Sequence, residues 1–407
     1  MKETEGGVTA AKGFEAAATE AAIKYQNRKD MALVYSEVPC RVAGTFTTNV
    51  VKAAPVVWDR NIVETSPYAQ AVVVNSGIAN ACTGEQGMEV CRAEARCASE
   101  ALGIPQNAVL VASTGVIGMQ IPVDKITEGI KKLAADRSGS VQAGLEAAKA
   151  IMTTDTVPKQ AAVTTMIGGR EVTVGGMAKG SGMIHPNMCT MLGFVTTDVN
   201  ISRDMLRRAV KESVVDTFNM ISVDGDTSTN DTLLVMANGM AGNEEITAEG
   251  ADYDAFCEAL NYINTWLARK MAGDGEGATA LFETKVMGAA TKEDARVFAK
   301  SVICSSLTKA AIFGHDANWG RILCALGYSG AQFDPENVDL YFKGKSGQIH
   351  IFGGGTACDY SEEEATAILS EKEVTVLVDM HMGKEEATAW GCDLSYDYVK
   401  INADYRS

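Results

Sequence analysis

Thr190 has the neighbours a covalent nucleophile needs. It follows Cys189, a small residue. A Gly-rich approach, Lys179-Gly-Ser-Gly-Met-Ile-His-Pro-Asn-Met, precedes that pair, and the apolar, β-prone run Met191-Leu-Gly-Phe-Val-Thr-Thr-Asp198 follows it. The Thr190 hydroxyl can attack the Cys189 carbonyl because little side chain stands in the way. The Pro-Asn turn and the glycines permit the strained backbone that an N→O acyl shift requires. Cleavage there would leave Thr190 as a new N-terminus. Its hydroxyl would lie beside an α-amine titrating near about pH 8, a usable general base. Local composition alone fits an ordinary turn ahead of a strand better, so the decision rests on the rest of the chain.

Thr114 and Gly115, in Ala112-Ser-Thr-Gly-Val-Ile-Gly118, come just after a buried-type apolar run. A Gly amide with a neighbouring Thr hydroxyl can receive the negative charge of a tetrahedral intermediate. The same residues also make a common strand-exit turn. Two other candidates fail their templates. Asp224-Gly-Asp-Thr-Ser-Thr-Asn-Asp231 has Thr229 and Val235 where a calcium loop needs Gly and Glu. Gly344-Lys-Ser346 has Asp339 where a phosphate loop needs its first Gly.

Composition narrows the classes. With 407 residues the chain exceeds the usual single-core size, so two or more lobes are expected. A hydrophobic content of 46% supports packed cores rather than disorder. A net charge of −16 argues against nucleic-acid binding through a basic face. No apolar run approaches membrane-spanning length. The opening Met1-Lys-Glu-Thr-Glu-Gly-Gly lacks the apolar segment of a secretory signal, and ten scattered cysteines without a Cys-x-x-Cys pair fit a reducing compartment. A cytoplasmic protein without a metal cluster is the expectation.

The elements that must position these residues are strands and helices without strict alternation. Strand-like runs occur at Ala71–Asn75, Ala108–Ala112, Thr232–Ala237, Val338–Phe342 and Val374–Val378. Ser202 caps an apolar stripe through Met205, Leu206, Ala209, Val210 and Val214, and Ser361 with Glu364 forms a capping box. No dinucleotide fingerprint follows a strand. The fold class is α+β, layered sheets covered by helices. The Gly-rich loop at Gly273–Gly277 and a change of pattern after Phe282 divide a domain of residues 1–282 from a smaller lobe, 283–407. Glu276, between glycines, is expected on an exposed, flexible loop.

Eight blocks, in order, resemble the ornithine acetyltransferase (glutamate N-acetyltransferase) family. They are Gly6-Gly-Val-Thr-Ala-Ala-Lys-Gly-Phe14, the segment around Thr114, Ile151-Met-Thr-Thr-Asp-Thr156, the Lys179–Asp198 stretch, Ser222–Asp231, Gly273-Asp-Gly-Glu-Gly-Ala278, Asn318-Trp-Gly-Arg321 and Asn402-Ala-Asp-Tyr-Arg-Ser407. The resemblance implies a self-cleaving scaffold like that of the D-aminopeptidases, cut between Cys189 and Thr190. It implies acetyl transfer from N-acetylornithine to glutamate through an acetyl-Thr190 ester, with Thr114 and Gly115 as the oxyanion hole. Thr153, Lys179, Thr190, Glu276, Asn402 and Ser407 then bind substrate, and the tail returns to the active site. The family needs no metal or other cofactor, some members also use acetyl-CoA as donor, and the cleaved pairs form a heterotetramer. Cys189 stands where Ala is commoner, Ser407 where Thr is commoner, and His315-Asp-Ala-Asn318 replaces the more usual Asp-Pro-Asn. The rival readings are an N-terminal-nucleophile aminopeptidase or amidase, in which water resolves the acyl-enzyme, and a non-catalytic binding protein, which would stay uncut.

Overall fold

The structure is a computed structural model, and it describes residues 1–185 and 191–404. It divides into two compact units. The first comprises Met1–Gly180, Pro186–Phe218 and Thr227–Leu267; the second comprises Ser181–His185, Asn219–Asp226 and Ala268–Ser407.

The first unit is built on a mixed sheet of strands β1 (Lys2–Thr4), β2 (Phe14–Thr19), β3 (Met31–Phe46), β4 (Ala69–Ile78), β5 (Val109–Val116), β6 (Lys159–Ile167), β7 (Arg170–Lys179), β8 (Leu192–Thr197) and β9 (Thr232–Ala237). Their order is β1-β6-β7-β8-β9-β3-β4-β5, with β2 paired to β3. The helices are α1 (Ala54–Thr65), α2 (Gly84–Leu102), α3 (Val123–Asp136), α4 (Val141–Ala150), α5 (Arg203–Asp216) and, through Leu267, α6 (Ala251–Gly273).

Period-two alternation explains the layering. Ala32, Val34, Val72, Val74, Leu110 and Ala112 face one core, with α1 and α4 supplying Val56, Ile62, Ala147 and Ala148. The intervening Met31, Leu33, Ala71, Val73, Val109 and Val111 face a second core, closed by Val90 and Ala95 of α2 and by Ile126, Ile130 and Leu133 of α3. Each such Val, Ile or Leu contributes roughly 1.5–3 kcal/mol by leaving water. Strand β4 runs between the two cores and is buried along its whole length, and its polar Gln70, Asn75 and Ser76 side chains donate to backbone carbonyls.

The second unit holds β10 (Leu281–Ala289), β11 (Asp339–Lys343), β12 (Gln348–Gly353), β13 (Thr356–Ala357), β14 (Glu373–Asp379) and β15 (Glu385–Cys392), ordered β13-β12-β11-β14-β10-β15. The helices are α7 (Lys292–Cys304), α8 (Ser306–Phe313), α9 (Trp319–Gly327), α10 (Glu362–Leu369) and α11 (Tyr396–Ala403). Helix α7 lies against β10 and β15. The β10–β14 pair is parallel and the other pairs are antiparallel. Mixed sheets with helices laid on them are the α+β class that the sequence led us to expect.

Both expected caps form. Ser202 accepts from the Met205 N–H and Ser361 from the Glu364 N–H, each worth about 1 kcal/mol. The rejected phosphate-type loop turns out to hold an anion of the chain itself. The Lys345 and Ser346 N–H groups donate to the Glu371 carboxylate at 2.6 and 2.8 Å.

Candidate active site

Among the site residues of the first unit, Thr114, Gly115 and Lys179 lie in the last residues of strands, and Thr153 lies in the connection between α4 and β6. Thr114 and Gly115 close β5, and the parallel register sets Ser76 opposite Thr114 and Gly77 opposite Gly115. Gly115 has φ +131°, and a Cβ there would come within 2.3 Å of the Gly77 carbonyl. Only a residue without a side chain allows that approach. Just before them, buried Ser113 accepts from the Asn80 N–H at 2.8 Å and donates to Asn230 Oδ1 at 3.3 Å. Those bonds hold the β5 exit in place, while Thr114 and Gly115 themselves stay half-buried.

Lys179 ends β7 and pairs in register with Leu192, the first residue of β8. It is a buried lysine, 7% exposed, and its Nζ lies 3.7 Å from Asp155 Oδ2. Asp155 was not among the residues expected from the sequence. Its Oδ2 accepts from the Thr153 N–H at 3.1 Å, and its Oδ1 accepts from Lys159 Nζ and from the Gly180 N–H, each at 2.7 Å. Thr153 and Lys179 are therefore brought to one carboxylate from 26 positions apart. Burial alone would raise the Asp155 pKa. The Lys179 and then Lys159 charges, with the Lys159 and Gly180 hydrogen bonds, outweigh it and hold the group well below the usual carboxylate range.

In the second unit, Glu276 corrects the sequence expectation of an exposed loop acid. It is 7% exposed. Its N–H donates to Ser181 O at 2.8 Å, and its Oε2 accepts from Asn402 Nδ2 at 2.8 Å. Gly182 makes room for it, since a Cβ at that position would meet the carboxylate at about 2.4 Å. Asn402 sits on α11 and also donates to Tyr398 O at 3.0 Å.

Asp224, from the run that failed the calcium template, has a structural task. Its carboxylate accepts from the Met183 and Ile184 N–H groups at 2.6 and 2.8 Å, and Tyr398 Oη lies 3.3 Å away. This fixes the residues leading toward position 186. His185 follows, with Nδ1 3.1 Å from Ser222 Oγ. Burial, then the Lys300 charge, pull its pKa down to about 4 against the opposing pull of Asp226, so its ring is neutral at pH 7. Cys189, Thr190 and Ser407 lie outside the described residues.

Among the described residues, no group of three or more His, Cys, Asp or Glu side chains is arranged to hold a metal ion. None of the described helices is long and apolar enough to cross a membrane.

The fold is that of an α+β protein, mixed sheets with helices laid on them. The model of the ArgJ family matches residues 15–407. An arginine biosynthesis bifunctional protein ArgJ from Symbiobacterium thermophilum is 56% identical over 409 residues, covering 100% of both chains. A crystal structure of the protein of that name from Bacillus halodurans is 48% identical with a TM-score of 0.51, and covers 53% of this chain and 99% of its own. A looser likeness, 13% identical with a TM-score of 0.40, covers 68% of this chain and 89% of an L-aminopeptidase D-Ala-esterase/amidase from Ochrobactrum anthropi. The chain belongs to the ArgJ family, the ornithine acetyltransferase/glutamate N-acetyltransferase family that its motifs resemble, and is an enzyme of arginine biosynthesis.

Proposed function

We propose that the chain cuts itself between Cys189 and Thr190 and then moves an acetyl group from N-acetylornithine to glutamate by a ping-pong route. The observation that carries this reading is the contact of Glu276 with Asn402. The motifs assign both residues to one substrate, and they meet although 126 positions separate them.

Each step has a residue. The Thr190 hydroxyl attacks the acetyl carbonyl, and its own α-amine takes the proton. The Thr114 hydroxyl and the Gly115 N–H receive the oxyanion, an effect typically worth about 2.7–4 kcal/mol per donor. Ornithine leaves with the proton, and the acetyl-Thr190 ester passes its acetyl group to the glutamate amine. Lys179 holds a substrate carboxylate, Glu276 an amine, and Thr153, Asn402 and Ser407 complete the binding set. The chemistry needs no metal or nucleotide, and acetyl-CoA serves as a second donor. The Bacillus halodurans chain supports the cleavage step. It matches over 99% of its own length yet spans 53% of this chain. The larger product here would hold 407 − 189 = 218 residues, and 218/407 is 54%. A heterotetramer of two cleaved pairs in the cytoplasm completes the proposal.

The test is purified enzyme with glutamate, offered N-acetylornithine and acetyl-CoA in separate reactions. N-acetylglutamate must form with N-acetylornithine, and parallel initial-rate lines must result. Acetate release without N-acetylglutamate would instead identify an amidase on this scaffold.

A further inference from the structure

Asp155 is fully buried between two lysines of the first unit. Lys159 Nζ is in direct contact at 2.7 Å, with its side chain 1% exposed; Lys179 Nζ stands off at 3.7 Å, with its side chain 9% exposed. Among these three groups one negative charge faces two positive ones, leaving a net charge of +1. The lysines converge because Lys159 opens β6 where Lys179 closes β7, and the antiparallel register pairs Lys159 with Ala178.

The two contacts are unequal, and the difference matters. Lys159 takes the short ion pair and also donates to Val157 O at 3.3 Å. Lys179 keeps the longer contact. If Lys159 were absent, Asp155 would draw Lys179 to contact distance, and the pair would cancel. A charge already matched at contact has little left for a second partner, since water is largely excluded and the local interaction is strong.

We propose that Asp155 and Lys159 are a positioning pair: Asp155 sets the pose of Lys179 and of the Thr153 and Gly180 amides, and Lys159 absorbs the charge of Asp155 so that Lys179 remains the counter-charge for the substrate's α-carboxylate. This rests on the substrate role given to Lys179 above. It adds a determinant of specificity, preference for amino-acid ligands over the corresponding amines. Neither Asp155 nor Lys159 touches the reacting atoms.

The test compares N-acetylornithine with N-acetylputrescine, which lacks only the carboxylate, through the binding constant that the concentration dependence of acetyl-enzyme formation gives for each donor with the whole enzyme and no acceptor. Wild type binds the first more tightly. Lys159→Met weakens N-acetylornithine tenfold or more and leaves N-acetylputrescine within about twofold, and KM changes more than kcat. Asp155→Asn/Lys159→Met removes both members of the pair and restores the +1 charge, so the preference for the carboxylate returns toward wild type. Replacing both members of a buried pair with neutral groups is also the better-tolerated change, should Lys159→Met fail to fold. Equal loss for both ligands, an unaltered preference in Lys159→Met, or no recovery in the double variant overturns the pair's role. If wild type itself does not distinguish the two ligands, the carboxylate role of Lys179 falls, and the inference falls with it.

Discussion

Asn402, on the last helix, donates from Nδ2 to Oε2 of Glu276 at 2.8 Å, and so ties the end of the described chain to a buried carboxylate. Glu276→Gln removes the charge that is proposed to meet the substrate amine. Charge-assisted hydrogen bonds are worth about 1.5–3 kcal/mol, so kcat/KM for N-acetylornithine should fall roughly ten- to a hundredfold. Steady-state kinetics on protein confirmed as cleaved checks this. A near-normal kcat/KM would remove Glu276 from the site, and Asn402 with it.

Adjacent residues at the exit of β5 should behave in opposite ways. Thr114→Ala removes a half-buried hydroxyl at a strand end and should lower kcat by roughly a hundred- to a thousandfold with little change in melting temperature. Gly115→Ala should act first on the fold. Its φ of +131° and the 2.3 Å approach to the Gly77 carbonyl leave no place for a methyl group, and the conformational cost alone is of order 1–3 kcal/mol. Thermal unfolding and kinetics measured side by side on both variants check the contrast. A stable, active Gly115→Ala enzyme would contradict the tight β4–β5 packing.

A pair of buried acids in the first unit sets a pH slope on stability. Burial pushes Glu94 on α2 up to about 8 from an ordinary value of 4.5, and buried Asp59 on α1 is likewise raised well above its ordinary value. Between pH 4.5 and 8 the folded state keeps a proton on Glu94 that the unfolded chain has released. Stability therefore falls as pH rises through that window, by at most about 1.4 kcal/mol per pH unit from this group. Glu94→Gln should flatten the slope and raise the melting temperature near pH 8 relative to wild type. Superimposable melting profiles from pH 5 to 8 would show that Glu94 is not held neutral.

Local features were legible in the sequence because they depend on neighbours. Ser202 and Ser361 cap their helices through residues three positions on, and the apolar run Leu233–Ala237 after Thr232 forms a strand that is buried along its whole length. The burial of Glu276 was not legible. Its flanking glycines indicate a loop, but the groups that enclose it come from Ser181, Gly182 and Asn402, 95, 94 and 126 positions away. Nor does the Ile151–Thr156 motif give Asp155 a role, because only the β6–β7 hairpin register brings both lysines to it.

Self-cleavage gives a simple readout. Under denaturing conditions the expressed chain should separate into pieces of 189 and 407 − 189 = 218 residues. The larger should begin Thr-Met-Leu-Gly by N-terminal sequencing. Thr190→Ala should stay a single chain and transfer no acetyl group, since one hydroxyl serves both reactions.

The acetyl-enzyme itself is the most direct test. Intact-mass and peptide analysis of the enzyme incubated with N-acetylornithine and no acceptor should show one acetyl group on the 218-residue piece, on Thr190, and added glutamate should discharge it. An unmodified Thr190 in an enzyme that still makes N-acetylglutamate, with intersecting rather than parallel rate lines, would contradict the covalent route.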